Sequence, residues 1–404
     1  MYDILDGVRV IELSLFAFGP SACAVLGDWG ADVIKVGHPA FQDPMRGIPV
    51  GGLPPRDDDL SFTWEQLNRN KRSIALDVSQ EAGRAVLEDL LRDADVFVTN
   101  LLPDSRARLR LDVDDVRAVN PRIIYGRATG HGANGPDRER GAFDHTAFWC
   151  RSGIGHAASM TVDEFVPLVG PAFGDLASGF VLASGIVGAL LRRERTGKAT
   201  VVDASLLSTA MWMFSPAIVA SGIYDIDTLP RQRHADLLHP LVAAYETADG
   251  RHVYLAGVRT DKNWENLCAC LERPDLVDDE RFADHAARQA NAKELIRVLD
   301  EVFGARTLAE WLPRLAELDT PWTVAQTARE ARVDPQVVAN DYVIEVEARG
   351  TTPVPLVASP VRFDDAAPEL RPAPEHGADT EAVLLELGRT WDDIAELKAA
   401  GVIP

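Results

Sequence analysis

The feature that most restricts the fold of this chain is the order of its first apolar runs. Val8–Leu13, VRVIEL, reads as a strand buried on both faces. Gly19-Pro20 turns the chain, Ser21–Trp29 fits a short helix stopped by Gly30, and Asp32–Val36, DVIKV, is a second strand. Two strands joined through a helix lie parallel, because only a crossover of that length brings the chain back to the same end of a sheet. After a Pro/Gly-rich loop, Gly37–Pro55, the alternation continues. Strand Ser73–Val78 leads to helix Gln80–Arg92 with Ser79 as its N-cap, then to strand Val96–Asn100, two short helical pieces and strand Arg122–Ala128. Strands alternating with helices predict an α/β domain built on a doubly wound parallel sheet.

Further on the pattern changes. Leu176–Arg195 is an apolar helix dense in Gly, Ala and Ser, and Gly197 stops it. Glycine costs a helix about 1 kcal/mol against alanine, so this density predicts that another backbone packs closely against it. Ala204–Ala220 reads as a further apolar helix. Leu241–Thr247 and His252–Ala256 flank the turn residues ADGR, a hairpin signal. Amphipathic helices follow at Asn263–Leu271, Ala292–Val302 and Leu308–Leu318, so 225–330 reads as a smaller α+β domain. Thr351–Phe363 is extended with alternating prolines, and Thr380–Ala399 is helical in pieces. A chain of 404 residues exceeds one ordinary core, in keeping with two domains.

The formal net charge is −21, which repels nucleic acid and anionic membrane surfaces, so an anionic ligand needs a local basic pocket. Cys23, Cys150, Cys268 and Cys270 form neither a disulfide framework nor a zinc knuckle, and no HExxH or HxH occurs; no metal is expected. The longest lipophilic stretch, Phe180–Leu191, is about 12 residues, short of the ~20 that span a bilayer, and reads as a buried core helix. With no basic start and apolar run at Met1-Tyr2-Asp3, the expected location is the cytoplasm.

The first strand-to-helix turn, Ser14-Leu15-Phe16-Ala17-Phe18-Gly19-Pro20, has one glycine followed by a proline without an N–H. It therefore lacks the GxGxxG that cradles a dinucleotide. GxSxG is absent as well, which removes the commonest serine hydrolases. Asp175 stands in VGPAFGDLASG, where a glycine turn becomes a helix. Such an aspartate is commonly an N-cap worth about 1 kcal/mol. It is equally a place where a carboxylate is stabilised as the anion, where Gly174 and Gly179 leave room for a bulky thioester, and where backbone N–H groups meet an oxyanion. A carboxylate can then serve as a covalent nucleophile. Arg46, Arg69, Lys71, Arg72, Arg106 and Arg108 sit in or beside loops at strand ends, either as solvated charge, the reading favoured for Arg106 and for Arg110, or as a pocket for phosphate. His145 follows Asp144, but neighbouring side chains usually point apart, so the pair is not read as a dyad.

LDGVRVIELS, GPSACAVLGDWGADVIKV with Asp43–Arg46, NRNKRSIALDV, DVFVTNLLPDSRARL, GPAFGDLASG, RPDLVDDERFADHAARQANAKEL and HGADTEAVLLELG follow one another nearly end to end. In that order they resemble the class III coenzyme A transferases, a family that also holds α-methylacyl-CoA racemases. The resemblance implies that Asp175 is the catalytic nucleophile and that coenzyme A is bound around Arg46, Lys71, Arg72, Asn100 and Arg108. It implies an interlocked homodimer whose large domain combines 1–224 with a return segment, 331–404. Acyl-CoA and a carboxylic acid are then the substrates, and no tightly bound cofactor is expected.

Two departures refine this. Racemases of the family carry a histidine immediately before Asp144, where this chain has Phe143, so transfer of coenzyme A is expected over racemisation. A non-catalytic acyl-CoA binding protein is the third alternative. Some formyl-group transferases have glutamine at the position of Ala17; its absence, beside Phe16 and Phe18, points to a larger apolar acyl group. Phe143 and Asp144 complete the expected substrate pocket, and Phe148 and Trp149 serve either there or in the core.

Overall fold

A computed structural model describes residues 2–48, 52–53, 60–257, 260–348 and 352–404. Of the loop Gly37–Pro55, positions 49–51 and 54–55 lie outside these residues, as does Thr351. The chain divides into one unit of 1–228 with 335–404, and a second of 229–334.

In the first unit, β1 (Arg9–Leu13), α1 (Phe18–Asp28), β2 (Asp32–Gly37), α2 (Phe62–Asn68), β3 (Lys71–Ala75), α3 (Glu81–Arg92), β4 (Val96–Thr99), α4 (Pro103–Arg108), α5 (Val113–Val119) and β5 (Ile124–Thr129) follow one another. A π-helical turn (Asp144–Cys150), α6 (Ile154–Ser159), α7 (Phe173–Thr196), β6 (Val201–Ser205), α8 (Leu206–Met213) and α9 (Ser215–Tyr224) come next. The six strands are all parallel, in the order β3-β2-β1-β4-β5-β6. Alternate residues face opposite ways. Val10, Val33, Val96, Val98 and Ile124 pack under α1 and α7, while Ile11, Ile34, Phe97 and Tyr125 pack under α3 and α5. Each such side chain, fully buried, contributes roughly 1.5–3 kcal/mol.

The expected sheet is present, with differences. β3 begins two residues earlier than read from sequence and ends at Ala75; Leu76, Asp77 and Val78, which follow it, line a cavity. Ser79 does not cap α3: its hydroxyl donates to Asp77 Oδ1, and Gln80 holds the cap position. β6 was not foreseen. The helix read over Ala204–Ala220 breaks into α8 and α9, bent by 69° at Phe214, just before Pro216. α7 runs from Phe173 to Thr196, long and apolar enough by composition to cross a bilayer. One face packs on α1: a Cβ at Gly179 would meet Ser21 Oγ at 2.0 Å, which is the close approach its small residues predict. The other face leaves Leu176, Val181 and Leu191 exposed, so α7 is a core helix on one side only.

The second unit holds β7 (Val242–Glu246) and β8 (His252–Ala256), antiparallel as the hairpin signal predicts, with α10 (Thr260–Cys270), α11 (His285–Ala290), α12 (Ala292–Gly304), α13 (Leu308–Leu315), β9 (Trp322–Val324) and α14 (Ala328–Arg332). Its core stacks Tyr245 on Phe303 beside Trp311. The chain then returns to the first unit through α15 (Pro335–Ala339), β10 (Val343–Ala348), β11 (Thr352–Val357), α16 (Thr380–Glu386) and α17 (Trp391–Ala399). Pro353 and Pro355 occupy alternate positions of β11, which pairs on one side only, so neither removes a needed donor. Residues 377–380 cover the edge of β3: Ser73 N donates to Asp379 Oδ2, Ala75 N to Thr380 Oγ1, and Asp379 N to Ser73 O.

Candidate active site

Strand order reverses between β1 and β4, and the loops leaving their C-terminal ends diverge there, where open α/β sheets bind ligands. Asn100 ties the two loops together. Its Oδ1 accepts from Leu15 N at 2.9 Å and its Nδ2 donates to Leu15 O at 2.6 Å. Two cavities adjoin at this point and share Leu15 and Leu101. One, of about 310 Å³, is walled by His38, Phe41, Leu76, Ser79 and His376. The other, of about 340 Å³, is walled by Phe16, Phe18, Asn100, Arg106 and Phe143 and reaches Asp175.

A buried ion cluster holds the first loop. Glu12, Lys35 and Lys71 share the sheet face that α1 covers, and none is more than 7 % exposed. Glu12 lies 2.8 Å from Lys35 Nζ and 2.7 Å from Lys71 Nζ. Burial pushes the Glu12 carboxyl up, but the two ammonium charges outweigh it and hold the group at about 2. Lys35 also donates to Ser14 O and pairs with Asp43 at 3.2 Å, and Asp43 Oδ1 accepts from Phe16 N. Phe16 has φ +63°, a left-handed conformation that strains a bulky residue and persists only where its surroundings impose it. Its ring meets Phe143 edge to face at 5.4 Å, at the lip of the second cavity.

Asp175 lies in the first turn of α7, half-buried, and its carboxylate makes no hydrogen bond or ion pair with any described residue. It is not the N-cap: Ala172 holds that position at φ +58° and accepts from Leu176 N. The helix start does not leave Asp175 an easy anion either. Burial first, then the negative charge of Asp144, push its carboxyl up to about 7. The helix dipole, worth about 0.3–1 kcal/mol, is under one pKa unit and loses. Gly174 and Gly179 leave no room for a thioester, because a Cβ at Gly174 would lie 2.5 Å from Phe148 and Gly179 faces Ser21. Phe148 and Trp149 are core residues outside the cavity, and Trp149 Nε1 donates to Val166 O.

Asp144 is only 4 % exposed, on the π-helical turn that packs on α7. The π-helical turn folds His145 back so that its Nδ1 lies 2.9 Å from Asp144 Oδ1, so the two adjacent residues do pair. Ala17 is buried beside Met45 and Trp64.

The basic candidates separate. Lys71 is spent: its three N–H groups face Glu12, Pro20 O and Asn68 Oδ1, leaving none for phosphate. Arg72 is forked onto Asp32 and Glu386. Arg46 lies over the Trp64 ring at 3.8 Å and donates to Pro374 O, lining a shallow depression beyond Asp43. Arg108 is exposed, with Ser105 at 3.5 Å. Arg106 is not surface charge: it is buried, bonded to Asp112 and Leu101 O, and lines the second cavity. Arg110, paired with Glu81, is exposed as read. The sequence reading passed over Arg138 and Arg140 at the second cavity, His38 and His376 at the first, and Glu12 and Lys35 beneath the loop. The last two had a signal, a charge inside each of two otherwise apolar strands.

Residues 5–380 match the family model described as CoA-transferase family III. The chain is 31% identical over 401 residues to cinnamoyl-CoA:phenyllactate CoA-transferase of Clostridium sporogenes, covering 98% of this chain and 96% of that protein. It is 31% identical to (R)-2-hydroxy-4-methylpentanoate CoA-transferase of Clostridioides difficile, over 99% of both. The solved structure of a CAIB/BAIF family protein from Brucella suis superposes with a TM-score of 0.81 at 29% identity, over 95% of this chain and 99% of that one. A parallel sheet with its cavities at the switch point, matched end to end by these proteins, places the chain in CoA-transferase family III.

Proposed function

We propose that this CoA-transferase carries coenzyme A from an acyl-CoA to a carboxylic acid through covalent intermediates on Asp175. The observation that carries the reading is an unpartnered carboxylate at the end of an elongated pair of cavities. The nucleotide end of the ligand lies toward His38 and Phe41, and the thioester lies at Asp175. The Asp175 carboxylate attacks the acyl carbonyl, the C–S bond breaks, and a mixed anhydride and the CoA thiolate result. The thiolate attacks the aspartyl carbonyl, the C–O bond breaks, and the donor acid leaves an aspartyl-CoA thioester. The acceptor carboxylate repeats the anhydride step, and the returning thiolate takes the acceptor acyl group, restoring Asp175. Each exchange keeps the energy of the thioester, so this route calls for no nucleotide hydrolysis and no further cofactor.

Phe16, Phe18 and Phe143 favour an apolar or aryl acyl group. A second copy of the chain, interlocked as the family resemblance implies, would cover Trp212, Val219, Ile223 and Tyr224, which lie exposed on α8 and α9. The cytoplasm is the proposed location.

The test offers cinnamoyl-CoA and succinyl-CoA as donors and phenyllactate and glutarate as acceptors. Hydroxylamine should trap an adduct that mass spectrometry assigns to Asp175. In deuterated water no label should enter the α-carbon; an uptake of label without acyl transfer would replace this reading with racemisation.

The pH dependence follows from the position of Asp175. Its nucleophilic anion is lost as pH falls through about 7, so single-turnover acylation should lose rate there. Asp144→Asn removes the like charge but not the burial. The midpoint should therefore move down, while staying above that of an exposed aspartate.

A further inference from the structure

A cation is built into the wall of the second cavity. Arg106 stands on α4 with its side chain 7% exposed, around the same space as Phe16, Phe18, Phe143 and Asp175. Its Nε donates to Asp112 Oδ1 at 3.0 Å and its Nη1 to Leu101 O at 2.7 Å. These two bonds tie the loop after β4 to the residue that precedes α5. They leave Nη2 with no hydrogen bond to any described residue, although the guanidinium fork carries five N–H donors. A methionine at this place would complete an apolar wall. Burying a guanidinium with part of its fork unused costs free energy instead, so the tie to Asp112 and Leu101 does not by itself account for the residue.

We propose that Arg106 is a specificity-determining residue: it binds a second carboxylate, at the far end of the acyl group whose first carboxyl reacts at Asp175, and so selects dicarboxylic acids. This inference rests on the proposed function, in which the acyl group is held at Asp175. The nucleotide end of coenzyme A then lies in the first cavity. The pantetheine arm between the two ends carries no charge, so the acyl group is what remains for this cation to meet.

The surroundings suit such a ligand. The cavity wall adds Arg138 and Arg140, both exposed, with Arg138 paired to Glu139. Three guanidinium groups around the single carboxylate of Asp175 make the cavity attractive to anions within a chain of net charge −21. The rings of Phe16, Phe18 and Phe143 cover a methylene chain as well as they cover an aryl group, and a guanidinium fork matches a carboxylate oxygen for oxygen. Donor and acceptor acyl groups occupy the same place in turn, each as the anhydride on Asp175. One guanidinium therefore reads the far end of both.

The experiment uses pairs of esters that differ only at the far end: succinyl-CoA against butyryl-CoA, and glutaryl-CoA against pentanoyl-CoA. The readout is the second-order rate constant for the Asp175 adduct trapped by hydroxylamine. Wild type should prefer the dicarboxylic member of a pair by roughly 10- to 100-fold, the scale of one hydrogen bond to a charged group. Arg106→Met should erase that preference by slowing the dicarboxylic esters far more than the others. Arg106→Lys, which keeps the charge without the fork, should retain part of it. Asp112→Asn loosens the tie from its other end and still suits the start of α5, so it should leave the preference intact. If Arg106→Met and Asp112→Asn slow both members of each pair alike, the residue is a tie only. If Arg106→Met alone does so, with KM raised for every ester, the guanidinium meets coenzyme A itself. Either result overturns the proposal and leaves Asp175 as nucleophile. Should Arg106→Met not fold, a preference absent from wild type or undiminished in Arg106→Lys overturns it equally. Absence of any adduct on Asp175 with all four esters would overturn it together with the proposed function.

Discussion

Replacing Asp175 with alanine should lower CoA transfer by roughly 10⁴- to 10⁶-fold, the scale on which enzymes lose activity when a covalent nucleophile is removed. Asp175→Asn should do nearly as much, since an amide does not form the anhydride. Acyl-CoA should still bind, because the cavity walls from His38 to Phe143 remain. Turnover by mass spectrometry and binding by calorimetry separate the two effects; an alanine variant within tenfold of wild type would refute the covalent route. The same substitution should also stabilise the fold. The Asp175 carboxyl titrates at about 7 in the folded protein and at 3.8 in an ordinary setting. Below 3.8 it is protonated in both states and contributes nothing. As pH rises from 3.8 to 7 the unfolded chain ionises first, so the native state loses ground, and above 7 the cost is complete. Asp175→Asn should therefore gain stability over wild type at pH 8 and none at pH 3. A site that is less stable than its replacement is the usual signature of function held against packing.

Glu12→Ala should be the most destabilising single change in the first unit. It would leave Lys35 and Lys71 close to each other with no charge between them, and breaking a buried pair in this way costs about 3–5 kcal/mol. Whole domains have about 5–15 kcal/mol in hand, so the variant should be marginally folded at best. Glu12→Gln keeps the shape and some hydrogen bonds and should lose less. The pH sign is opposite to that of Asp175. Glu12 is held at about 2, below its ordinary 4.5, so its contribution is present above 4.5 and fades as pH falls toward 2. Urea unfolding at pH 7 and at pH 3 should show the gap between wild type and Glu12→Gln narrowing at the lower pH. A constant gap would mean that shape, not charge, decides.

The sheet was readable because its strands are short apolar runs separated by turn residues, a pattern that local chemistry imposes. The β7–β8 hairpin was readable for the same reason. β6 was not: Val201–Ser205 runs without a break into the residues of α8, and only its pairing with β5 makes it a strand. Asp175 could be singled out by its Gly-rich setting and by resemblance. What raises its carboxyl could not, because burial, the larger cause, and the charge of Asp144, 31 residues away in the chain, both arise only in the fold. Lys71 and Arg72 looked like phosphate ligands because sequence lists charges and not their partners; Glu12, Asp32 and Glu386 use those donors instead. The sequence argues against a pairing of Asp144 with His145, and the π-helical turn brings the two together because it departs from the spacing on which neighbour rules rest.

The covering of β3 by residues 377–380 has a consequence in time. As the chain leaves the ribosome, β1 to β6 can assemble early, yet the backbone groups of Ser73 and Ala75 wait for partners some 300 positions further on. All of 229–334 is made in that interval. Until the last segment arrives, β3 offers an open strand edge of the kind that recruits other chains. The wall of the first cavity that His376 supplies is missing for the same period. A nascent chain of this protein is thus at its most adhesive just before it becomes able to bind substrate, and chaperone occupancy late in synthesis would serve it more than early.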